Sequence, residues 1–341
     1  MLRLKPASNT FWTAYGLLSC AVLWGTDTVC IQSGRLLLRH EALDLKEEIA
    51  PDLAVVSDVH VSFDAQTLLV SAKRAPSDLS QIYEIHVAGG LAKQVTNCLN
   101  DCSNAAYLPD GKIVFTVHAA GGSYIACIQP AGGEFERITF GPGDYQLEGV
   151  LPDGRILLTF GGTLYGMRPD GTGLESIRCN HDKPARLRHT DSQRVELVVQ
   201  PKPRRLWSTL KPELGVGYFI SLDSRISSPD VGGRLRTVPV SVRVLTLNSD
   251  GTVCKLGIAP VETDGSFYVA VPADNPVRFE LLDAAGNSLR RENTWIWARS
   301  GEERGCAGCH AEKALAPRNH WPLTLKRFDT PTKMTGEMHA K

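Results

Sequence analysis

Two cysteines and a histidine near the C-terminus have the spacing that covalent attachment of a haem requires. The run Cys306-Ala307-Gly308-Cys309-His310 is the Cys-x-x-Cys-His pattern of c-type haem proteins. Its two thiols can add across the two vinyl groups of one porphyrin, and the adjacent histidine can offer an imidazole nitrogen to the iron. With nine Cys and nine His in 341 residues, chance gives only roughly 0.006 such patterns. The sequence predicts one covalent haem c on Cys306 and Cys309, with His310 as an iron ligand.

Two other uses of the cysteine pair remain open at this point. A Cys-x-x-Cys pair can be half of a zinc site, although the sequence has no second Cys-x-x-Cys or His-x-x-x-His to complete it. It can also be a redox-active dithiol, although the thioredoxin-type motif accompanies a βαβ unit and this region has a β-rich pattern.

The second axial position of the iron decides between electron transfer and small-molecule chemistry. A strong second ligand is typical of an electron carrier, whereas an open or weakly filled position permits reaction with a small molecule. We predict His320 as this ligand, because it closely follows the attachment motif. A surface histidine is the alternative interpretation. Met334, Met338 and His339 are further candidates, in a polar tail that is expected to be disordered.

The N-terminus has the features of an export signal. Arg3 and Lys5 precede an apolar, uncharged run at 11–24, which is short for a membrane span. We predict a signal within residues 1–30. Leu17-Leu18-Ser19-Cys20 resembles a lipoprotein box, so lipidation of Cys20 is one alternative and an uncleaved anchor is another. Because haem c is attached outside the bacterial cytoplasm, the expected location is the periplasm, free or membrane-anchored.

Charge and cysteine content limit the partners. Lys+Arg and Asp+Glu are both 37, so no net positive field favours nucleic acid, and none is expected as a partner. Cys98 and Cys102 are close enough in sequence to pair in an exported protein. The connectivity of the other cysteines cannot be read from the sequence.

Residues from about 50 to 180 repeat. Pro109-Asp110-Gly111 and Pro152-Asp153-Gly154 each precede an apolar strand pattern at an offset of 43 residues, and Phe63-Asp64-Ala65 is a degenerate earlier copy. Asp-Gly and Gly-Gly pairs supply the positive φ of tight hairpins. Four strands in about 43 residues is the size of a propeller blade. We therefore predict three four-stranded blades in a partial β-propeller, with a run of sandwich hairpins as the alternative.

Histidines in these copies are weaker candidates for the haem. His60 could reach the iron only if the domains fold together, whereas His86 and His118 lie in predicted repeat strands and are expected to be structural.

The pattern changes after the repeats. We predict a connecting segment at 181–235, a β-sandwich at 236–300, the haem segment at 301–325 and a tail at 326–341. Val240, Val242 and Val244 alternate with polar residues, as in a half-buried strand. Trp295 and Trp297 precede the haem motif and are either core residues or neighbours of the porphyrin edge.

Several segments resemble known families. "YLPDGKIVFTV" and "LPDGRILLTF" are similar to the Tol-B-like propeller repeat. "SDVHVSFDA", "PKPRRLWSTLKPELGVGYFISLDSR" and the region from "GSFYVAVPADN" to "RGCAGCH" resemble proteins related to the hydrazine synthase alpha subunit, over about residues 50–320. The resemblance implies a propeller followed by a β-rich domain with haem c, held by Cys306 and Cys309 with His310 as proximal ligand.

The sequence also departs from that family. Hydrazine synthase has a second haem motif in this subunit and a tyrosine ligand four residues after one haem histidine, where this chain has one motif and Ala314. We therefore expect an all-β, exported, c-type cytochrome-like protein that transfers electrons to a redox partner in a periplasmic complex. The alternatives are a subunit of a hydrazine-synthase-like haem enzyme acting on a small nitrogen compound, and a propeller scaffold with a structural haem.

Overall fold

The computed structural model describes residues 27–40, 43–177, 194–228, 232–309, 316 and 321–335. Within these ranges the chain forms six four-stranded β-sheets. The two described 3-10 helices are short, Pro212–Leu214 and Leu323–Lys326. The predicted all-β fold, a partial propeller followed by a sandwich, is confirmed.

Three antiparallel sheets correspond to the three predicted repeats. They are numbered as the second to fourth blades, because a further blade, described below, precedes them. The second blade contains β4 (Val55–Val61), β5 (Thr67–Lys73), β6 (Gln81–His86) and β7 (Lys93–Gln94). The third contains β8 (Asp101–Tyr107), β9 (Ile113–Ala119), β10 (Gly122–Ile128) and β11 (Glu136–Arg137). The fourth contains β12 (Tyr145–Val150), β13 (Ile156–Phe160), β14 (Thr163–Met167) and β15 (Glu175–Ser176).

The repeated Asp-Gly pairs make the same turn in each copy. The Asp110 carboxylate accepts a hydrogen bond from the Lys112 backbone N–H at 3.1 Å, and Asp153 accepts one from Arg155 at 3.0 Å. The glycine that follows each aspartate has positive φ, 92° at Gly111 and 88° at Gly154. These turns join the first two strands of a blade and explain the 43-residue spacing.

A further blade precedes the three predicted ones. It contains β1 (Thr28–Gln32), β2 (Arg35–His40) and β3 (Leu45–Glu48), and β16 (Arg194–Glu196) pairs with β1. Strand β1 begins inside the range 1–30 assigned to a signal, and Val29 is fully buried. Strand β16 comes from the predicted connecting segment. The propeller therefore has four described blades, the first made from two distant parts of the chain.

The core of the propeller lies between neighbouring blades. Separate clusters of buried side chains join the first blade to the second, the second to the third and the third to the fourth. The connecting segment follows the fourth blade in the chain and packs against the turns of that blade. The Arg204 N–H donates to the Pro152 carbonyl at 3.1 Å, and the Thr209 N–H donates to Asp170 at 2.8 Å.

The C-terminal domain is a sandwich of two sheets around one apolar core. One sheet has the order β19 (Val253–Pro260), β18 (Ser241–Leu247), β21 (Val277–Leu282), β22 (Ser288–Arg291). The other has the order β23 (Glu303–Cys306), β17 (Val216–Ser221), β20 (Phe267–Pro272), β24 (Thr332–Lys333). The second sheet thus contains β17 from the predicted connecting segment, β23 from the predicted haem segment and β24 from the predicted tail.

Candidate haem-attachment site

Strand β23 carries Cys306 to the edge of the sandwich. It runs parallel to β17, with Cys306 opposite Ser221. The Leu222 N–H donates to the Cys306 carbonyl at 2.9 Å, and the Asp223 N–H donates to the Ala307 carbonyl at 3.2 Å. The backbone of the first half of the motif is therefore anchored by regular strand pairing.

A cluster of three charged residues, Asp223, Arg225 and Asp264, lies at the same end of the sheet and is called the polar bracket below. Arg225 binds both carboxylate oxygens of the buried Asp223, at 2.6 and 2.8 Å, and donates to the Asp264 carbonyl at 2.8 Å. Gly265 has a φ of +84°, and a Cβ there would lie 2.1 Å from the Asp223 Oδ1, so only glycine fits. The Asp264 side chain accepts the Leu323 N–H at 2.8 Å. The bracket thus connects the backbone beside Ala307 to the chain that follows His320.

Both motif cysteines are free and half-buried. Burial raises the pKa of Cys306, and burial together with the nearby Glu292 raises the pKa of Cys309 to about 12. At neutral pH both are therefore protonated thiols. Cys309 packs against the sandwich core, as do the half-buried Leu235, Leu289 and Ile296. Two free thiols beside apolar side chains fit the requirements for holding a porphyrin.

Charged side chains face these thiols. Glu292 lies near both, and burial raises the pKa of its carboxyl to about 7. Burial raises the pKa of both thiols, and the positive charges of Arg304 at Cys306 and of Arg290 at Cys309 partly oppose that rise. Arg304 donates to the Trp297 carbonyl at 2.6 Å, and Arg290 donates to the Ser227 hydroxyl at 2.7 Å. The sequence did not identify Arg290 and Glu292 as neighbours of the thiols, because they lie in and just after β22, whereas the motif begins at the end of β23.

The predicted iron ligands His310 and His320 lie outside the described residues, as do Met338, His339 and Ala314. Their roles stay predictions. Met334 was expected in a disordered tail, and this expectation is wrong. Its N–H donates to the Ala270 carbonyl at 2.8 Å, and its side chain is only 3% exposed in the sandwich core. Met334 therefore packs as a core residue rather than facing an iron.

The histidines of the repeats lie in three different settings. His60 is half-buried on β4, with its ring centroid 6.2 Å from that of Tyr107, and burial lowers its pKa to about 4. His118 Nε2 is 2.7 Å from the Ser103 hydroxyl, in agreement with a structural role. His86 is exposed, at a cleft of about 460 Å³ that also contains His40 and Asp27.

The two tryptophans before the motif differ in environment. Trp297 is fully buried between the third and fourth blades, edge-on to Tyr145 at 5.7 Å and to Phe140 at 6.4 Å. Trp295 is half-buried beneath the Arg278 guanidinium at 4.5 Å. Trp297 is thus a core residue that joins the two domains, and only Trp295 remains a candidate neighbour of the porphyrin.

Two features are absent from the described ranges: a metal-binding cluster and a membrane-spanning helix. No three His, Cys, Asp or Glu side chains there are grouped so that they could hold a metal ion. No helix among those residues is long and apolar enough to cross a membrane.

A partial propeller followed by a β-sandwich with two free thiols at its edge defines the class of this protein. The protein-family model for the hydrazine synthase alpha subunit middle domain matches residues 238–311, which include the whole Cys-x-x-Cys-His motif. The predicted resemblance to the hydrazine synthase alpha subunit family is confirmed over this domain.

One solved structure shares the fold, and two others are less similar. Kuenenia stuttgartiensis hydrazine synthase is similar with a TM-score of 0.72 and 13% identity, over 89% of this chain and 72% of that chain. A putative TolB from Agrobacterium tumefaciens has a TM-score of 0.42 and 16% identity, over 82% of each chain. TolB from Acinetobacter baumannii has a TM-score of 0.38 and 13% identity, over 81% of this chain and 65% of that chain. No curated protein sequence matches the chain.

Proposed function

We propose that this chain is a haem c-bearing subunit of an exported, hydrazine-synthase-like enzyme complex that acts on a small nitrogen compound. One observation carries the proposal. The family match ends on the haem motif, and Cys306 and Cys309 of that motif are free, half-buried thiols at the edge of the sandwich. The relation to a subunit of hydrazine synthase favours this function over electron transfer alone, and it supports protein partners.

In this proposal Cys306 and Cys309 hold the haem and His310 is an iron ligand. A bound haem would supply redox chemistry on a small ligand at an exchangeable iron position. Glu292 would hold or release a proton beside it, because a carboxyl with a pKa of about 7 changes charge near neutral pH. Arg290 and Arg304 would supply positive charge at the same edge of the sandwich. Export, with or without lipidation of Cys20, is part of the proposal because haem attachment requires it.

The state of the sixth iron position separates the enzyme from the electron carrier. Protein expressed with its N-terminal segment and a haem-maturation system should be examined by visible spectroscopy, oxidised and reduced, with and without carbon monoxide. An enzyme subunit should bind carbon monoxide readily. A low-spin haem that excludes carbon monoxide, and that becomes accessible in His320→Ala but not in the control His339→Ala, would reject the enzyme proposal. That result would establish His320 as the second ligand of an electron carrier.

A further inference from the structure

We propose that Cys98 and Cys102 are joined by a disulfide bond in the exported protein, closing the loop between the second and third blades. The inference concerns the propeller alone; it rests on the proposed export of the chain but not on the proposed haem chemistry.

The backbones of Cys98 and Cys102 are hydrogen-bonded to two consecutive residues, Ser80 and Gln81. The Gln81 side chain accepts the Cys98 N–H at 2.9 Å and donates to the Cys98 carbonyl at 3.1 Å. The Cys102 N–H donates to the carbonyl of Ser80, the neighbour of Gln81, at 2.8 Å. A second contact, from the Ser80 N–H to the Asp101 carboxylate, is 2.6 Å. The chain between the two cysteines therefore folds back on itself as a short, fixed loop, as a disulfide requires.

The two side chains point into one cluster. Cys98 is 7% exposed and Cys102 is fully buried, and both lie in the apolar core between the second and third blades. The Cys98 and Cys102 thiols lie near enough to shift each other's pKa, and the Cys102 Sγ also lies 3.8 Å from the Asn100 carbonyl. The interaction between the two thiols lowers the pKa of Cys98, and together with burial it raises the pKa of Cys102. Because both side chains lie in one buried cluster at the ends of a short fixed loop, the bond can form without a large rearrangement of the backbone.

The chemistry follows ordinary thiol–disulfide exchange. Cys98, with the lower pKa, attacks one sulfur of an external disulfide oxidant, such as an exported oxidoreductase or oxidised glutathione, and one thiol leaves. The Cys102 thiol gives up its proton and attacks the Cys98 sulfur of the mixed disulfide, releasing the second thiol. Two protein thiols are oxidised, and one external disulfide is reduced to two thiols.

Two other buried or half-buried cysteines have different neighbours and serve as controls. The Cys127 Sγ lies 3.8 Å from the Pro169 carbonyl, and the Cys254 Sγ lies 3.2 Å from the Asn248 side-chain oxygen. Their thiols are therefore expected to stay reduced under the conditions that oxidise Cys98 and Cys102.

Peptide mapping tests the proposal on the full-length, haem-loaded chain. Protein purified from the periplasm should be denatured and alkylated with N-ethylmaleimide, with and without prior reduction, and digested with trypsin. Cleavage after Lys93 and Lys112 leaves both cysteines in the peptide 94–112. Without reduction this peptide should be unlabelled and two hydrogen atoms lighter than its dithiol form. After reduction it should carry two labels, whereas Cys127 and Cys254 should be labelled in both samples.

Two outcomes would overturn the proposal. The first is two labels on the peptide 94–112 of the unreduced wild-type protein. The second is a cross-link from either cysteine to another peptide, or to a second chain on a non-reducing gel. In Cys98→Ser, Cys102 should become labelled without reduction. Haem staining of the same samples reports separately on the haem proposal, so the two can fail independently.

Discussion

Arg299 Nη2 lies 2.6 Å from Glu136 Oε1, and this ion pair joins the segment before the haem motif to the outer strand of the third blade. Arg299 also lies 2.8 Å from Asp274 of the sandwich, and its guanidinium stacks on Phe140 at 5.2 Å. Because β23 starts four residues later, the position of Cys306 depends on how the propeller holds Arg299 and Trp297. The propeller is therefore part of the scaffold of the haem site.

Replacing Arg299 tests this dependence. Arg299→Met leaves the carboxylates of Glu136 and Asp274 without their buried partner and should lower the free energy of unfolding by about 2–3 kcal/mol. This effect is at the low end for buried ion pairs, because the two carboxylates are partly exposed. The matched control is Arg35→Met, whose pair with Glu48 is exposed and should contribute about 1 kcal/mol or less. Urea unfolding measures both. Equal effects of the two substitutions would show that Arg299 does not join the domains.

Stability should depend on the protonation of His60. Burial lowers its pKa in the folded protein to about 4, from an ordinary value of 6.5. Between these values the unfolded chain binds more protons than the folded one, so stability falls as pH decreases through this window. The loss should be about 2 kcal/mol between pH 7.5 and pH 5. His60→Asn should remove this contribution to the pH dependence, whereas His86→Asn, on the exposed end of β6, should not. An unchanged slope in His60→Asn would contradict the assignment.

Met334 should behave as a core residue. Met334→Ala should cost about 2–5 kcal/mol, because it removes a buried side chain whose sulfur packs against Gly257. Met334→Leu keeps the volume and should cost less than about 1.5 kcal/mol. Neither substitution should change the spin state of the haem in visible spectra. A switch to high spin in Met334→Leu would instead identify Met334 as an iron ligand.

Gly265 should be needed for the bracket beside the motif. Gly265→Ala combines an unfavourable positive φ with a contact against Asp223, and should cost about 2–3 kcal/mol. Gly251→Ala is the control, since φ is +81° there and the added Cβ meets nothing within 4 Å, so that only about 1 kcal/mol of backbone strain is expected. Thermal unfolding gives the two costs, and haem staining should fall only in Gly265→Ala. Equal costs would mean that the close approach to Asp223 is unimportant.

The sequence predicted the features that depend on local patterns. The Asp-Gly turns at Asp110 and Asp153 repeat at a fixed distance, so the blades that contain them could be recognised. The sequence did not predict the first blade, because that blade pairs β1 with β16, which lies more than 160 residues later in the chain. In addition, its turn at Ser33-Gly34 lacks the repeated motif.

Long-range packing explains the remaining differences. Nothing in the sequence around Trp297 indicates that it inserts between two blades, and nothing around Met334 indicates that β24 completes a sheet. Glu292 and Arg290 reach the motif thiols only because β22 and β23 lie at the same end of the sandwich. The thiols themselves were predictable, since their spacing is set by the chemistry of attachment.

Covalent haem attachment tests the central claim most directly. Full-length protein expressed in the periplasm with a haem-maturation system should give a haem-stained band that survives a denaturing gel. The double substitution Cys306→Ala and Cys309→Ala should abolish this band, whereas Cys98→Ser with Cys102→Ser should keep it. An unstained wild-type protein, or a stained band that persists without Cys306 and Cys309, would contradict the account.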